Sequence, residues 1–140
     1  MQSPQANIVA FICAQIIDMT GGYCDDIVAF MQHEMQSLPC YFKYRPAGPS
    51  VVQTVTAAIR TDYKTGLQQY DFSHPLLSYK KTGCFGRHLW KSASKFGIGA
   101  FTNPLTNLTT VITIVFPANI TATDFFGDEL ISRNVLPLGN

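Results

Sequence analysis

Apolar positions recur at helical spacing in the first half of the chain and at strand spacing in the second. Residues 6–18 form a mostly apolar run that stops at Thr20-Gly21-Gly22, which predicts a buried helix. A second helix is predicted over residues 25–36. Asp25 and Asp26 stand in its first turn, where the helix dipole favours acids. Ile27, Phe30, Met31, Met35 and Leu38 recur on it as a core stripe. Cys40 to Tyr44 alternates as a short strand. Arg45-Pro46-Ala47-Gly48-Pro49 then reads as a loop. Ser50 with Gln53 fits a capping box and opens a third helix, with Val52, Val55, Ile59, Tyr63 and Leu67 as its apolar face. A loop containing Pro75 follows, then a short helix over Thr82 to Lys91. Phe96 to Phe101 and Thr109 to Phe116 read as strands. The second is apolar on both faces from Val111 onward, so it belongs in the middle of a sheet. From Asn134 the tail, with Pro137, is read as irregular. Helices first and strands later give a layered α+β fold.

The length of 140 residues suits one domain, taken here as residues 1–140. Only 14% of the residues are charged and 46% are hydrophobic, which excludes a disordered chain, a coiled coil or an acidic tail. No stretch reaches the roughly 18 apolar residues of a membrane span. No Lys or Arg precedes the apolar run at Ile8 to Cys13, so it reads as a buried helix ahead of a secretory signal. The cysteines at 13, 24, 40 and 84 match no zinc ribbon and no Cys-x-x-Cys motif. Two disulfides and buried free thiols both remain open. Asn107-Leu-Thr109 and Asn119-Ile-Thr121 are glycosylation sequons, relevant only in the secretory pathway.

Charge is distributed unevenly. No acidic residue lies between Asp71 and Asp124, while Lys80, Lys81, Arg87, Lys91 and Lys95 fall within that interval. Such a run attracts anionic surfaces, each cation near an anionic bilayer contributing about 1 kcal/mol. The net charge of +1 is too low for a general nucleic-acid binder, so nucleic acid is not an expected partner.

Thr82-Gly83-Cys84-Phe85-Gly86-Arg87-His88-Leu89-Trp90-Lys91 resembles a signature of the CAP superfamily, which includes cysteine-rich secretory proteins, antigen 5 and pathogenesis-related proteins. That signature runs Gly-His-Phe-Thr-Gln, two hydrophobic residues and Trp. Gly97-Ile98-Gly99 is similar to the family's following strand. Gln69-Tyr70-Asp71-Phe72 and Val115-Phe116-Pro117-Ala118-Asn119 resemble its flanking motifs, the second without the family's glycine. Asn134-Val135-Leu136-Pro137 resembles the tail of the Golgi-associated pathogenesis-related branch. The matches run in order over residues 67–137, and the first half is abbreviated.

The resemblance implies a CAP-type three-layer α/β/α sandwich. It also implies a cleft with two His and two Glu that bind a divalent metal. Carried over position by position, the signature His falls on Cys84, one Glu near Arg45, the third-helix Glu on Gly66 and the other His at His33. Three of the four ligand types are changed, so the cleft is expected to be vestigial, with no metal and no cofactor. The expected function is non-enzymatic: binding of anionic lipid or sterol-containing membranes through Lys80, Lys81, Arg87, Lys91 and Lys95 and an apolar groove. The alternative is a secreted effector- or defence-type CAP protein that binds a protein partner, and a homodimer is a further expectation. A remote alternative is a hydrolase using Cys84 with His88, which stand four residues apart on one helix face. The family implies an extracellular location, with a Golgi or cytosolic membrane-associated one as the alternative.

Overall fold

The structure is a computed structural model that describes residues 2–21, 24–34, 39–46, 48–82, 84–118 and 123–137. Its elements are α1 (Pro4–Thr20), α2 (Asp25–Glu34), β1 (Cys40–Tyr44), α3 (Val51–Gln69), α4 (Pro75–Lys81), α5 (Phe85–His88), β2 (Lys95–Asn103), β3 (Leu108–Phe116) and α6 (Thr123–Asn134). The fold is mixed α and β around a three-stranded antiparallel sheet of order β1-β3-β2. The expected central strand is in the middle. Val111, Ile112 and Ile114 on β3 are buried, and so are Thr109, Thr110 and Thr113. Cys40 pairs with Thr113 on one side of β3, and Ile98 pairs with Thr113 on the other.

α1 lies along the edge strand β2 in the same direction. Ser3 donates its backbone N–H to Phe96 O at 2.7 Å. The Asn7 side chain accepts the Ile98 N–H at 2.9 Å, and Asn103 donates to Asp18 at 3.0 Å. The Asn7 contact satisfies an edge donor that would otherwise face another chain. Alanines make the approach possible: Ala6, Ala10 and Ala14 are buried with Ile112, Ile114 and Met31. A Cβ on Gly97 would overlap Ala6, and one on Gly99 would overlap the Phe11 backbone. Of the larger side chains of α1, Val9, Ile16 and Ile17 pack against this cluster, whereas Ile8, Phe11, Ile12 and Met19 are exposed. The helix ends at Gly21, whose φ of 67° suits the left-handed cap, as the Thr20-Gly21 stop predicts. A disulfide joins Cys13 on α1 to Cys24 just before α2, so the short link between the two helices is cross-linked.

β3 shows its other face to α3 and α5. Ser50 and Gln53 form the expected capping box of α3. Its inward face agrees with the expected one only in part: Val55, Ile59 and Leu67 are half-buried, with Leu67 packed beside the buried Tyr70 and Phe85. Thr54, Ala58 and Gly66 are buried, whereas Val52 is 73% exposed and Tyr63 is also exposed. Small side chains let α3 approach its neighbours, and its large apolar ones are left at the margin. On α2, Met31 is buried and Ile27 half-buried, but Phe30 is exposed. Met35 and Leu38 lie outside the described residues.

The sequence reading differs from the structure in three further segments. The stretch at Pro75, expected as a loop, is the start of α4, with Pro75 in the first turn where its missing N–H costs nothing. The helix expected over Thr82 to Lys91 is confined to Phe85–His88. Residues 123–134 carry no strong helical pattern, yet they form α6. Ile131 and Val135 there are buried with Tyr70, Tyr79, Phe85 and Trp90 in a second core, so tertiary burial outweighs weak propensity. The tail is irregular from Val135 to Pro137, as expected, but Asn134 itself still belongs to α6. Its side chain accepts from the Ser92 N–H and hydroxyl, and its backbone carbonyl accepts from Lys91 N–H at 2.8 Å.

Gly99→Ala places a methyl group against the α1 backbone and is expected to lower unfolding stability by about 2 kcal/mol, read from the urea midpoint. Asp71 lies ahead of α4. Its carboxylate accepts from the Ser73 hydroxyl and N–H and contacts His74, which lowers its pKa from 3.8 to about 2. The ionised form is the one favoured by folding, so its contribution is present above pH 3.8 and lost as the pH falls through about 2. Asp71→Asn is therefore expected to lower the melting temperature at pH 6, with the difference from the native chain closing at the acid end.

Candidate functional site

Two glycine contacts set α5 in place. Gly66 on α3 receives the ring of Phe85, and Gly86 on α5 receives the ring of Tyr79; a Cβ on either glycine would overlap that ring. Phe85 also stacks at 5.3 Å from Tyr70, and Tyr79 meets Trp90 edge to face at 5.8 Å. Held this way, α5 turns Cys84 and His88 toward the sheet. His88 N–H bonds to Cys84 O at 3.0 Å, and His88 Nε2 meets Thr113 Oγ1 of β3 at 2.7 Å. Thr113 is the register partner of Cys40, so Cys40 joins the group from β1. Donor atoms of Cys40, Cys84 and His88 lie no more than 4.8 Å from one another. Asp62 of α3 stands 3.7 Å from His88 Nδ1, and both side chains are 16% exposed.

Electrostatics separate the two thiols. The Cys84 hydrogen bond holds the Cys40 pKa well below the usual thiol range, against the opposing effect of burial, and His88 and Arg87 act in the same direction. Cys84, on the other side of that bond and also buried, is pushed above the usual range. Burial raises the Asp62 carboxyl, partly offset by His88. The cluster therefore favours negative charge on Cys40, with Arg87 Nη1 at 3.7 Å from its sulfur and 3.2 Å from Pro39 O.

Of the expected residues, the structure brings some together and separates others. Cys84 and His88 do share a face, but the proposed nucleophile at Cys84 is the thiol that resists ionisation. Lys91 is exposed, and Arg87 contacts Cys40 instead. Gly66 and Cys84 flank the Phe85 contact region. His33 does not join them: its side chain is 88% exposed beside Glu34. Arg45 is exposed beyond β1 and lines neither cavity described below. Lys80, Lys81, Lys91 and Lys95 are exposed as expected, whereas Arg87 is half-buried and turned inward, which removes it from the surface set. Asn107 sits in the turn between β2 and β3 with φ 56°, and Asn119 lies outside the described residues. Cys40 and Asp62 were not legible as site residues. Cys40 arrives only through strand register, and Asp62 only through the rotation of α3.

A cavity of about 590 Å³ opens beside the cluster, walled by Ile59, Tyr63, Phe85 and Leu89, with Arg60 and Lys64 also on its lining. A second, of about 290 Å³, runs along β2 and β3 past Trp90, Phe96, Ile98 and Lys95. Ile59 and His88 line both, so the two form adjoining parts of one groove. Its larger part falls within the range of small-ligand sites, roughly 300–1,000 Å³. No helix among the described residues is long and apolar enough to cross a membrane.

No protein-family model matches the chain, and none of the curated proteins matches it.

Thr113→Val keeps the shape of the side chain and removes the partner of His88 Nε2. An unfolding cost of about 1–2 kcal/mol is expected, measured by urea denaturation at neutral pH.

Proposed function

We propose that the chain is a non-enzymatic binding protein that takes an amphipathic, anionic lipid and meets anionic or sterol-containing membranes. The observation that carries this reading is the groove. Ile59 and Tyr63 of α3, displaced from the core by the small residues of its contact face, wall a space of about 590 Å³ with Leu89 and the buried ring of Phe85. That wall suits an acyl chain or a sterol ring. Arg60 and Lys64 outnumber Asp62 on the lining of the larger part, and with Lys95 at the smaller they supply cations for an acidic headgroup. Lys80, Lys81 and Lys91 are exposed nearby in sequence and would add long-range attraction to an anionic bilayer.

The CAP-type three-layer sandwich is part of the same proposal. Support for it comes from α1 and α2 against one face of the sheet and α3 and α5 toward the other. Extracellular placement is supported by the Cys13–Cys24 bond, because disulfides persist mainly in oxidising compartments.

Trp90 is the single tryptophan and lines the smaller cavity, so its emission reports occupancy. Titration with a long-chain fatty acid or an anionic lysophospholipid is expected to shift that emission to saturation. Ile59→Glu, at the junction of the two cavities, is expected to weaken binding at least about tenfold, a change of about 1.4 kcal/mol. Vesicle binding by Lys80→Glu/Lys81→Glu/Lys91→Glu is expected to fall at low salt and to converge with the native chain at high salt. An emission unchanged by every lipid, together with no sedimentation on anionic or sterol-containing vesicles, would sink the proposal.

A further inference from the structure

Two thiols meet beneath the groove without a bond between them. Cys40 and Cys84 are buried and free, and their sulfurs lie no more than 4.8 Å apart. A disulfide needs about 2.0 Å, so closure requires only a local movement. That movement would fall at the ends of two short elements. Cys40 is the first residue of an edge strand, and Cys84 leads into a helix of four residues. The surroundings favour a reactive sulfur on one side, since the Arg87 guanidinium stands 3.7 Å from Cys40 Sγ. The same chain carries the Cys13–Cys24 bond, and a setting that maintains that bond exposes Cys40 and Cys84 to the same oxidants.

We propose that Cys40 and Cys84 are a dithiol that closes to a second disulfide by exchange with a small-molecule disulfide such as oxidised glutathione, linking β1 to α5 under the groove. In the first step the Cys40 thiolate attacks one sulfur of the small disulfide. A mixed disulfide forms on Cys40 and one small thiolate leaves, taking up from water the proton that Cys40 released on ionising. In the second step Cys84, no longer held protonated by the Cys40 thiolate, gives its proton to the His88 imidazole, and its sulfur attacks the Cys40 sulfur. The Cys40–Cys84 bond forms and the second small thiolate leaves, taking up that proton. Two cysteine thiols lose two electrons, and the small disulfide gains them as two thiols. The link ties the helix that carries Phe85 and His88, two walls of the larger cavity, to the sheet.

The test uses the full chain with Cys13–Cys24 intact, purified without chelator and brought to equilibrium in graded glutathione buffers. Acid quenching, alkylation and peptide mapping then read each cysteine. In oxidised buffer the protein is expected to lose two hydrogens in mass and to yield a linked Cys40–Cys84 peptide. Cys40→Ser is expected to leave Cys84 fully alkylated, and Cys13→Ala/Cys24→Ala to keep the Cys40–Cys84 peptide. The native-chain map decides the matter even if a variant fails to fold. Complete alkylation of both thiols in oxidised glutathione would overturn the proposal. So would a glutathione adduct on Cys40 that never resolves, or one zinc ion per chain retained by thiols that stay reduced.

Discussion

A helix can lie on a strand at backbone distance only where neither presents a large side chain, and α1 meets β2 under that restriction. Ala6 and Ala10 face Gly97 and Gly99, with no room for a Cβ at either glycine. The approach brings Asn7 close enough to satisfy the Ile98 N–H of the edge strand, and it seats Ile112 and Ile114 of β3 under the helix. The Cys13–Cys24 bond then carries the same restraint into α2. Because the contact with the sheet is made by small residues, Val9, Ile16 and Ile17 pack only at its flanks and the other bulky apolar side chains of α1 are left outside. The exposed Ile8, Phe11, Ile12 and Met19 follow from the same geometry that makes the core tight.

The other face obeys a similar rule with a different outcome. α3 turns Thr54, Ala58 and Gly66 inward, and Gly66 accepts the Phe85 ring. Ile59 and Tyr63 consequently stand at the edge of a cavity rather than in the core. The groove is therefore a product of where the small residues fall. α5 is fastened twice, by Phe85 against α3 and by Gly86 against Tyr79, so a helix of only four residues can hold Cys84 and His88 against the sheet. Asn134 at the end of α6 closes the arrangement by binding the backbone and side chain of Ser92.

Charge at the site is arranged by burial and contact rather than by the run of basic residues in the sequence. Arg87 belongs to that run, yet its guanidinium spans Pro39 O and Cys40 Sγ. The neighbouring lysines stay in solvent. One segment thus contributes both an inward cation, which polarises a pair of thiols, and outward cations available to an anionic surface.

Much of the secondary structure was legible in the sequence. The stop at Gly21, the capping box at Ser50, the strand at Cys40 to Tyr44 and the doubly apolar β3 are each set by local chemistry: a left-handed cap, a reciprocal hydrogen bond, alternation, and burial on two faces. Elements whose stability is not local escaped it. α6 has a weak pattern and forms because Ile131 and Val135 are buried against the second core. α4 begins at a proline that reads equally as a loop. The site divides in the same way. The spacing of Cys84 and His88 placed them on one face of a helix, but nothing along the chain relates either to Cys40, which is separated from Cys84 by more than forty positions. Strand register brought Cys40 opposite Thr113, and the rotation of α3 brought Asp62 to His88. Patterning within a segment specifies which residues can share a face. Which faces then meet, and hence which side chains become neighbours, depends on the volumes that must fit between them, and only the folded chain decides that.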